Sequence, residues 1–547
     1  MFFRAKKSGP RTYLQVVENR WEDGRSRQRV VATLGRLDRL AASGQLSSLL
    51  ESGARFTDGL TALSDHRRGE LPTVRTRRIG GPLIFERLWR ETGCARALEA
   101  RLAKRQFSFP VERAVFAEVL HRLLSPGSDR AGYAWKQAYA IPGSEPLCLH
   151  HAYRAMAWLG EALAEKGTLS TIPRTTKDEI EEELFSQRRD LFSSLELVFF
   201  DTTSIYFEGA GGESLGQYGH SKDHRPDLRQ MVVGVVIDQE GWPLCCELWP
   251  GNTTDVKTLI PIVERLQQRF GIQRVCIVAD RGMIQAGTIH SLEQRGWPFI
   301  LGARMRSVRE VRQQVLADSG AFEQVFPARQ NPKDSSPLAV KQVWVEDRRY
   351  VVCLNEEQAR KDAADRKAIL ATLEDRLPKG PKSLVGNRGF RRYLKVTGEG
   401  FQIDPRKVEA EARYDGLWVL RTNTDYAAAD IALAYKQLWM VEDLFRSMKS
   451  LLATRPVYHR CDETIRGHVF CSFLALVLRT ELENRLAAKG CTEMEWADVV
   501  RDLDRVEEVE IDQGGKRLLL RTEAVGVAGK VFQAVGVALP PTVRQVA

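Results

Sequence analysis

Leu195-Glu196-Leu197-Val198-Phe199-Phe200-Asp201-Thr202-Thr203 is an apolar run closed by a carboxylate and two threonines, with no Gly or Pro until Gly209. Such a run predicts a β-strand that faces a core. A second run, Val275-Cys276-Ile277-Val278-Ala279, ends the same way, in Asp280. A buried Asp is costly unless it is paired, hydrogen-bonded or bound to a cation. Two buried strands that each deliver a carboxylate at the exit therefore point to a site rather than to packing.

The text between the two runs orders them. Met231-Val232-Val233-Gly234-Val235-Val236-Ile237-Asp238, a turn at Glu240-Gly241, and Pro243-Leu244-Cys245-Cys246-Glu247-Leu248-Trp249 predict an antiparallel meander with the first strand. Pro250-Gly251-Asn252-Thr253-Thr254-Asp255 reads as a turn in which Thr254 or Asp255 caps a helix running to about Arg269. That helix crosses over to the Asp280 strand, which then lies parallel to the first. Three antiparallel strands, a helix and a parallel strand, with acids ending the first and fourth, describe an α/β, ribonuclease-H-like core.

A third acid comes from the clearest helical pattern in the chain, from about Ala428 to Leu452. Ala434, Leu438, Val441, Phe445, Met448 and Leu452 form one apolar seam. Beside it, within roughly 60° at 100° per residue, fall Tyr435, Glu442, Arg446 and Lys449. Glu442 thus sits at the edge of a buried face, within reach of a site on the sheet. Asp201, Asp280 and Glu442, with no His/Cys cluster among them, are the wrong ligands for zinc and the right ones for Mg²⁺ or Mn²⁺. Two such ions bind the attacking and leaving oxygens of an in-line phosphoryl transfer.

The remaining text supplies surroundings. Residues 1–36 carry nine Lys/Arg against three acids, and two strand-like runs flank Asp23-Gly24, which predicts a basic β-hairpin. Its charges suit either phosphates or a solvated edge. Arg67, Arg68, Arg75, Arg77 and Arg78 lie in a linker before a helical pattern that runs from Pro82 to about Arg189. Lys222 and Arg225, in the charge-dense Gly219–Leu228 loop, and Trp297 are candidate DNA contacts, the last by stacking on an unpaired base. A hairpin (Val340–Val345, Arg349–Leu354), a charged helix (Glu356–Arg376) and a basic loop with Arg388, Arg391, Arg392 and Lys395 predict a β-rich insertion before Leu417 resumes the core. The composition is globular, 43% hydrophobic and 28% charged, with a formal charge of +10 that makes a polyanion partner plausible. Nine scattered cysteines lack metal-ligand spacing and read as reduced thiols. The absence of an apolar leader or long apolar window predicts a cytoplasmic protein with no membrane span.

With these residues in place the chain resembles the DDE transposases of bacterial insertion sequences, in particular the insertion-sequence-four superfamily and its long-chain branches, over about residues 195–480. That group carries Tyr-x2-Arg-x3-Glu-x6-Lys on its last catalytic helix. Tyr435, Glu442 and Lys449 fit in register, while Leu438 stands at the arginine position and Arg446, one turn beyond Glu442, offers a replacement. The group's Asp-x-Gly-x2-aromatic motif is met by Asp280 and Gly282, with Gln285 at the aromatic position. The resemblance implies Asp201, Asp280 and Glu442 as catalytic residues on two Mg²⁺ ions, with Mn²⁺ able to substitute. It also implies double-stranded DNA as partner, at transposon ends and target, a homodimer in the synaptic complex, and a nucleoid-associated location in the bacterial cytoplasm. The activity implied is cutting at the terminal inverted repeats and joining the freed 3′-hydroxyl to target DNA. The residues alone admit two alternatives: a metal-dependent nuclease of the same fold without strand transfer, and a DNA-binding protein with idle acids.

The expected organisation is a basic hairpin segment and linker (1–78), a helical DNA-binding domain (79–192), and the first part of the ribonuclease-H-like core (193–302). The β-rich insertion (303–415), the second part of the core with the Glu442 helix (416–490) and a C-terminal cap (491–547) complete it.

Overall fold

The computed structural model describes residues 1–22, 25–54, 73–163, 173–189, 197–272, 275–329, 334–379, 388–397, 400–513 and 516–546. They divide into two compact units, one of residues 1–76, 508–521 and 541–547, the other of residues 77–507 and 522–540.

The first unit holds a three-stranded antiparallel sheet of β1 (Phe2–Ser8), β2 (Arg11–Glu22) and β3 (Arg25–Arg36). β2 and β3, which hold the two runs expected to form a hairpin, pair antiparallel, and β1 pairs on the other edge of β2; Asp23-Gly24 lies outside the described residues. Arg75, Arg77 and Arg78 belong to a strand, β4 (Thr73–Arg78), and not to a linker. Arg67 and Arg68 lie outside the described residues.

The second unit is built on a mixed sheet of nine strands. Its first part is β5 (Leu197–Tyr206), β6 (Gln230–Asp238), β7 (Pro243–Pro250), β8 (Cys276–Ala279) and β9 (Phe299–Gly302). β5, β6 and β7 form the antiparallel meander, and β8 pairs parallel to β5 after the Leu259–Phe270 helix. All nine residues of β6 are buried, because Val and Ile occupy both of its faces and both faces are covered. β8 also pairs parallel with β9.

Three strands of the expected insertion, β10 (Glu323–Phe326), β11 (Leu338–Val345) and β12 (Arg348–Leu354), do not stand apart from this sheet. The pairs β13 (Leu394–Thr397) and β14 (Gly400–Ile403) form a separate hairpin, but β12 pairs with β15 (Leu417–Thr422), which pairs with β9. The sheet order is β10-β11-β12-β15-β9-β8-β5-β6-β7. β9 is paired on both sides, by β8 and β15, so the row of backbone groups left open is that of β15, and the β11–β12 hairpin satisfies it through β12. Gly380, Pro381 and Gly386 of the basic loop lie outside the described residues; Arg392 pairs with Glu411.

The helices of residues 80–189 share one core with the sheet and with the 27-residue Asp462–Ala488 helix, apolar all round its middle and buried there. No boundary between compact units falls near residue 192. The C-terminal segment is likewise divided: β16 (Glu507–Gln513), β17 (Lys516–Arg521) and β18 (Val543–Val546) pair antiparallel in sequence, β17 central. Among the described residues, no helix is long and apolar enough to cross a membrane.

Candidate active site

The register of β5 and β8 aligns Phe200 with Ala279, so Asp201 on β5 and Asp280, the residue that follows β8, come next to each other. Strands so paired lie about 4.8 Å apart. The Thr202 backbone N–H donates to Asp201 Oδ1 at 2.7 Å. Burial nevertheless pushes the Asp201 carboxyl up to about 6; Lys222 opposes that shift, and Asp280 and Asp255 reinforce it. A carboxylate that crowded by burial and by two other acids is short of positive charge.

The helical segment behind the site is not one regular helix. It runs as Ala428–Lys436, a tight junction at Gln437 and Leu438, Trp439–Arg446, and a π-turn over Ser447–Leu451. At the junction the backbone bonds skip three residues, with Leu438 N–H to Tyr435 O and Val441 N–H to Leu438 O. Tyr435 Oη donates to Asp280 Oδ1 at 2.9 Å. Burial, and then the Asp280 charge, raise the pKa of that phenol and keep it protonated. Lys449 Nζ lies 2.7 Å from Asp223 Oδ1, which Arg455 also grips. Glu442 falls midway between Tyr435 and Lys449, exposed, with no hydrogen bond or ion pair to its carboxylate among the described residues.

A family model for the transposase DDE domain matches residues 193–478. The chain belongs to this family. The model for the IS1634 family transposase N-terminal domain matches residues 3–64, so the protein is a DDE transposase of a bacterial insertion sequence. No curated protein matches the transposase. Among solved structures, the piggyBac transposase synaptic complex with hairpin DNA is similar at 10% identity and a TM-score of 0.34, over 77% of each chain. The Mos1 transposase paired-end complex with left transposon end is similar at 13% identity and a TM-score of 0.15, over 36% of this chain and 60% of that one.

Other expected contacts of the transposase fall in different places. Lys222 Nζ is inside the site, 2.6 Å from Thr202 O and 3.1 Å from Asp255 Oδ2. Arg225 is exposed and paired with Asp227 at 2.8 Å. Arg446 is 72% exposed and pairs with Asp443 on its own helix at 3.1 Å. Leu438 is buried in the seam as expected. Trp297 is a correction: it is 3% exposed and packed in the core, so its ring offers no face to a base.

Sequence reasoning missed three features. Asp255, read as a helix cap, faces Thr202 and Lys222. Arg281 and Arg304 flank Asp280 in an open cleft, and neither forms an ion pair among the described residues; Arg304 instead donates to the carbonyls of Arg281 and Gly282. Gly302, at the end of β9, leaves the space that the Tyr435 hydroxyl occupies. The adjacency of Arg281 to Asp280 was visible in the sequence; the other placements depend on long-range packing.

Among the described residues, two clusters bring three metal-ligating side chains within 4.8 Å, and neither includes Asp201, Asp280 or Glu442. Asp178, Glu181 and Glu247 are neutralised by Lys177, Arg265 and Arg269, with Arg269 alone within 3.3 Å of all three. They form a buried ion-pair network that ties β7 to two helices. In the second cluster, Asp129, His459 and His468, the His468 Nε2–H donates to the Thr454 carbonyl and Nδ1 accepts from Arg122 at 3.0 Å. A guanidinium already holds that nitrogen, which leaves no place for a cation.

Proposed function

We propose that this transposase binds the ends of its insertion sequence as double-stranded DNA, cleaves there by metal-assisted phosphodiester hydrolysis, and transfers the 3′-hydroxyl ends to target DNA. The observation that carries this reading is the juxtaposition of Asp201 on β5 and Asp280 at the exit of the adjacent parallel β8, with a helical segment whose Tyr435 bonds Asp280 and which carries Glu442 between Tyr435 and Lys449.

The donor set fits a hard divalent cation. It consists of carboxylate oxygens only, and the Asp201 carboxyl is raised by burial and by neighbouring acids, as expected of a group built to meet positive charge. Asp201, Asp280 and Glu442 would hold two Mg²⁺ or Mn²⁺ ions, which supply Lewis-acid activation of the attacking oxygen and stabilise the leaving one. Tyr435 orients Asp280 through its hydroxyl. Lys222 brings a positive charge beside Asp201, and Lys449 and Arg455, turned inward on Asp223, stand where a neighbouring phosphate can compete for them. Arg281 and Arg304 line the cleft beyond Asp280 as cations available to the strand that continues from the scissile phosphate. The basic β1–β3 sheet adds contacts to the duplex, and two copies of the chain pair the two ends.

The test is cleavage and joining of a duplex carrying the sequence that flanks this gene, in Mg²⁺, Mn²⁺ or Ca²⁺. Asp201→Ala, Asp280→Ala and Glu442→Ala should each abolish cleavage while DNA binding survives. A variant among these that cuts at the wild-type rate removes that residue from the site. Cleavage without joining reduces the reading to a nuclease.

A further inference from the structure

Asp255 stands where the sequence predicts a helix cap, at the start of a short turn before the Leu259–Phe270 helix, yet neither that turn nor the helix has a side-chain cap. Its carboxylate is turned to the catalytic strand instead. Oδ1 accepts the Thr202 hydroxyl at 2.7 Å, and Oδ2 lies 3.1 Å from Lys222 Nζ. The same ammonium donates to Thr202 O at 2.6 Å and reaches Thr202 Oγ1 at 3.0 Å. The Thr202 hydroxyl gives its proton to Asp255 and accepts from Lys222, so the three residues close a ring. An ammonium has three protons, and this ring offers three acceptors. Lys222 is therefore held in one orientation, although its side chain and that of Asp255 remain 32% and 26% exposed. Thr202 is the chain neighbour of Asp201, and Asp255 Oδ2 and Asp280 Oδ2 both face Gly282, 3.7 and 3.9 Å from where a Cβ on it would stand.

We propose that Asp255 is a positioning residue of the catalytic centre: it fixes the Lys222 ammonium against Thr202, beside Asp201, as a preorganised positive charge for the reacting phosphate. The inference rests on the functional reading above. A charge already oriented stabilises the negative charge that builds up in phosphoryl transfer without reorganising at that moment. A lysine on a flexible four-carbon stem cannot do this unless something holds it. Asp255 and Thr202 do so from two elements of the fold, 53 residues apart in the chain. An ion pair that merely tied the Gly219–Leu228 loop to the sheet would need neither the shared hydroxyl nor a place beside the acid pair.

The experiment is a double-mutant cycle on the full chain, with single-turnover cleavage of the end-sequence duplex and, separately, Mn²⁺ alone titrated by calorimetry. Lys222→Met should slow the chemical step by about 10²–10³-fold, the usual loss on removing one electrostatic contact to a transition state. Asp255→Asn should slow it by up to about 10²-fold through misplacement, and in the Lys222→Met background should add less than about twofold. Mn²⁺ affinity and duplex affinity should match wild type in all three. Multiplicative losses, a weakened Mn²⁺ affinity in Asp255→Asn, or an unchanged chemical step in that variant would each overturn the assignment. If Asp255→Asn does not fold, Thr202→Val breaks the same ring, and a wild-type chemical step in it refutes the proposal. A wild-type protein that never cleaves the duplex refutes the functional reading itself, a result distinct from all of these.

Discussion

Replacing Gly302 by alanine tests how Tyr435 reaches Asp280. Gly302 is the last residue of β9 and is buried, with a backbone that an alanine can adopt. The added Cβ falls on the Tyr435 hydroxyl, 3.0 Å from Cζ of the same ring and 3.2 Å from the Arg281 backbone nitrogen. The strand cannot retreat, because Gly302 is paired with Leu420 on β15. The phenol must therefore swing away and give up its 2.9 Å hydrogen bond to Asp280. A lost hydrogen bond to a charged group costs about 1.5–3 kcal/mol, and forcing an extra methyl into a packed site about 1–3 kcal/mol. The variant should be destabilised by roughly 2.5–6 kcal/mol in urea unfolding. Tyr435→Phe, which loses the hydroxyl alone, should lose less. In a Tyr435→Ala background the alanine at 302 meets no hydroxyl, so its cost should shrink, with a coupling of about 0.5–3 kcal/mol. Cleavage should slow in Gly302→Ala for the same reason as in Tyr435→Phe, since Asp280 loses its orientation in both. Equal stability of Gly302→Ala and wild type, or an equal cost in both backgrounds, would show that the hydroxyl does not occupy this space.

Three other outcomes follow from the same geometry. The Asp201 carboxyl is raised from an ordinary 3.8 to about 6, so its contribution to metal-free stability is complete below about pH 4 and is lost as pH rises through 6; Asp201→Asn should melt higher than wild type at pH 7–8 without metal and lose that advantage at pH 4. Arg269→Ala leaves Asp178, Glu181 and Glu247 buried with one guanidinium fewer and should cost about 3–5 kcal/mol by urea titration; a variant within 1 kcal/mol (roughly the effect of an ordinary surface change) would show the network to be slack. Neutralising two arginines of β2 and β3 should reduce the slope of log affinity against log salt for end DNA by about 2, and an unchanged slope would assign those charges to solvent.

The sequence by itself determined the elements whose cause is local. Apolar runs rich in Val, Ile or Phe specify β5, β6 and β8 wherever they end up, because a strand buried on both faces needs mainly continuous apolar text. The tight turn between β6 and β7 and the helical crossover to β8 then leave one sensible topology, which pairs Asp201 with Asp280. Leu438 was legible as a seam residue for the same reason.

What tertiary structure decided is where competing local signals were settled by distant partners. Asp255 carries the chemistry of a helix cap and of a site carboxylate alike, and only the Thr202 hydroxyl and Lys222 select between them. The regular spacing from Ala434 to Leu452 put Arg446 beside Tyr435, Glu442 and Lys449, but the segment is broken by a tight junction at Leu438 and a π-turn after Arg446. Tyr435 and Lys449 then face Asp280 and Asp223, while Arg446 faces water. Trp297 was placed by the core that closes over it, and the β11–β12 hairpin by an open sheet edge that no local pattern announces. Periodicity records which side of an element is apolar; which polar group meets which is decided by elements far apart in the chain, because hydrogen bonds and ion pairs are won by whichever partner packing brings within about 3 Å.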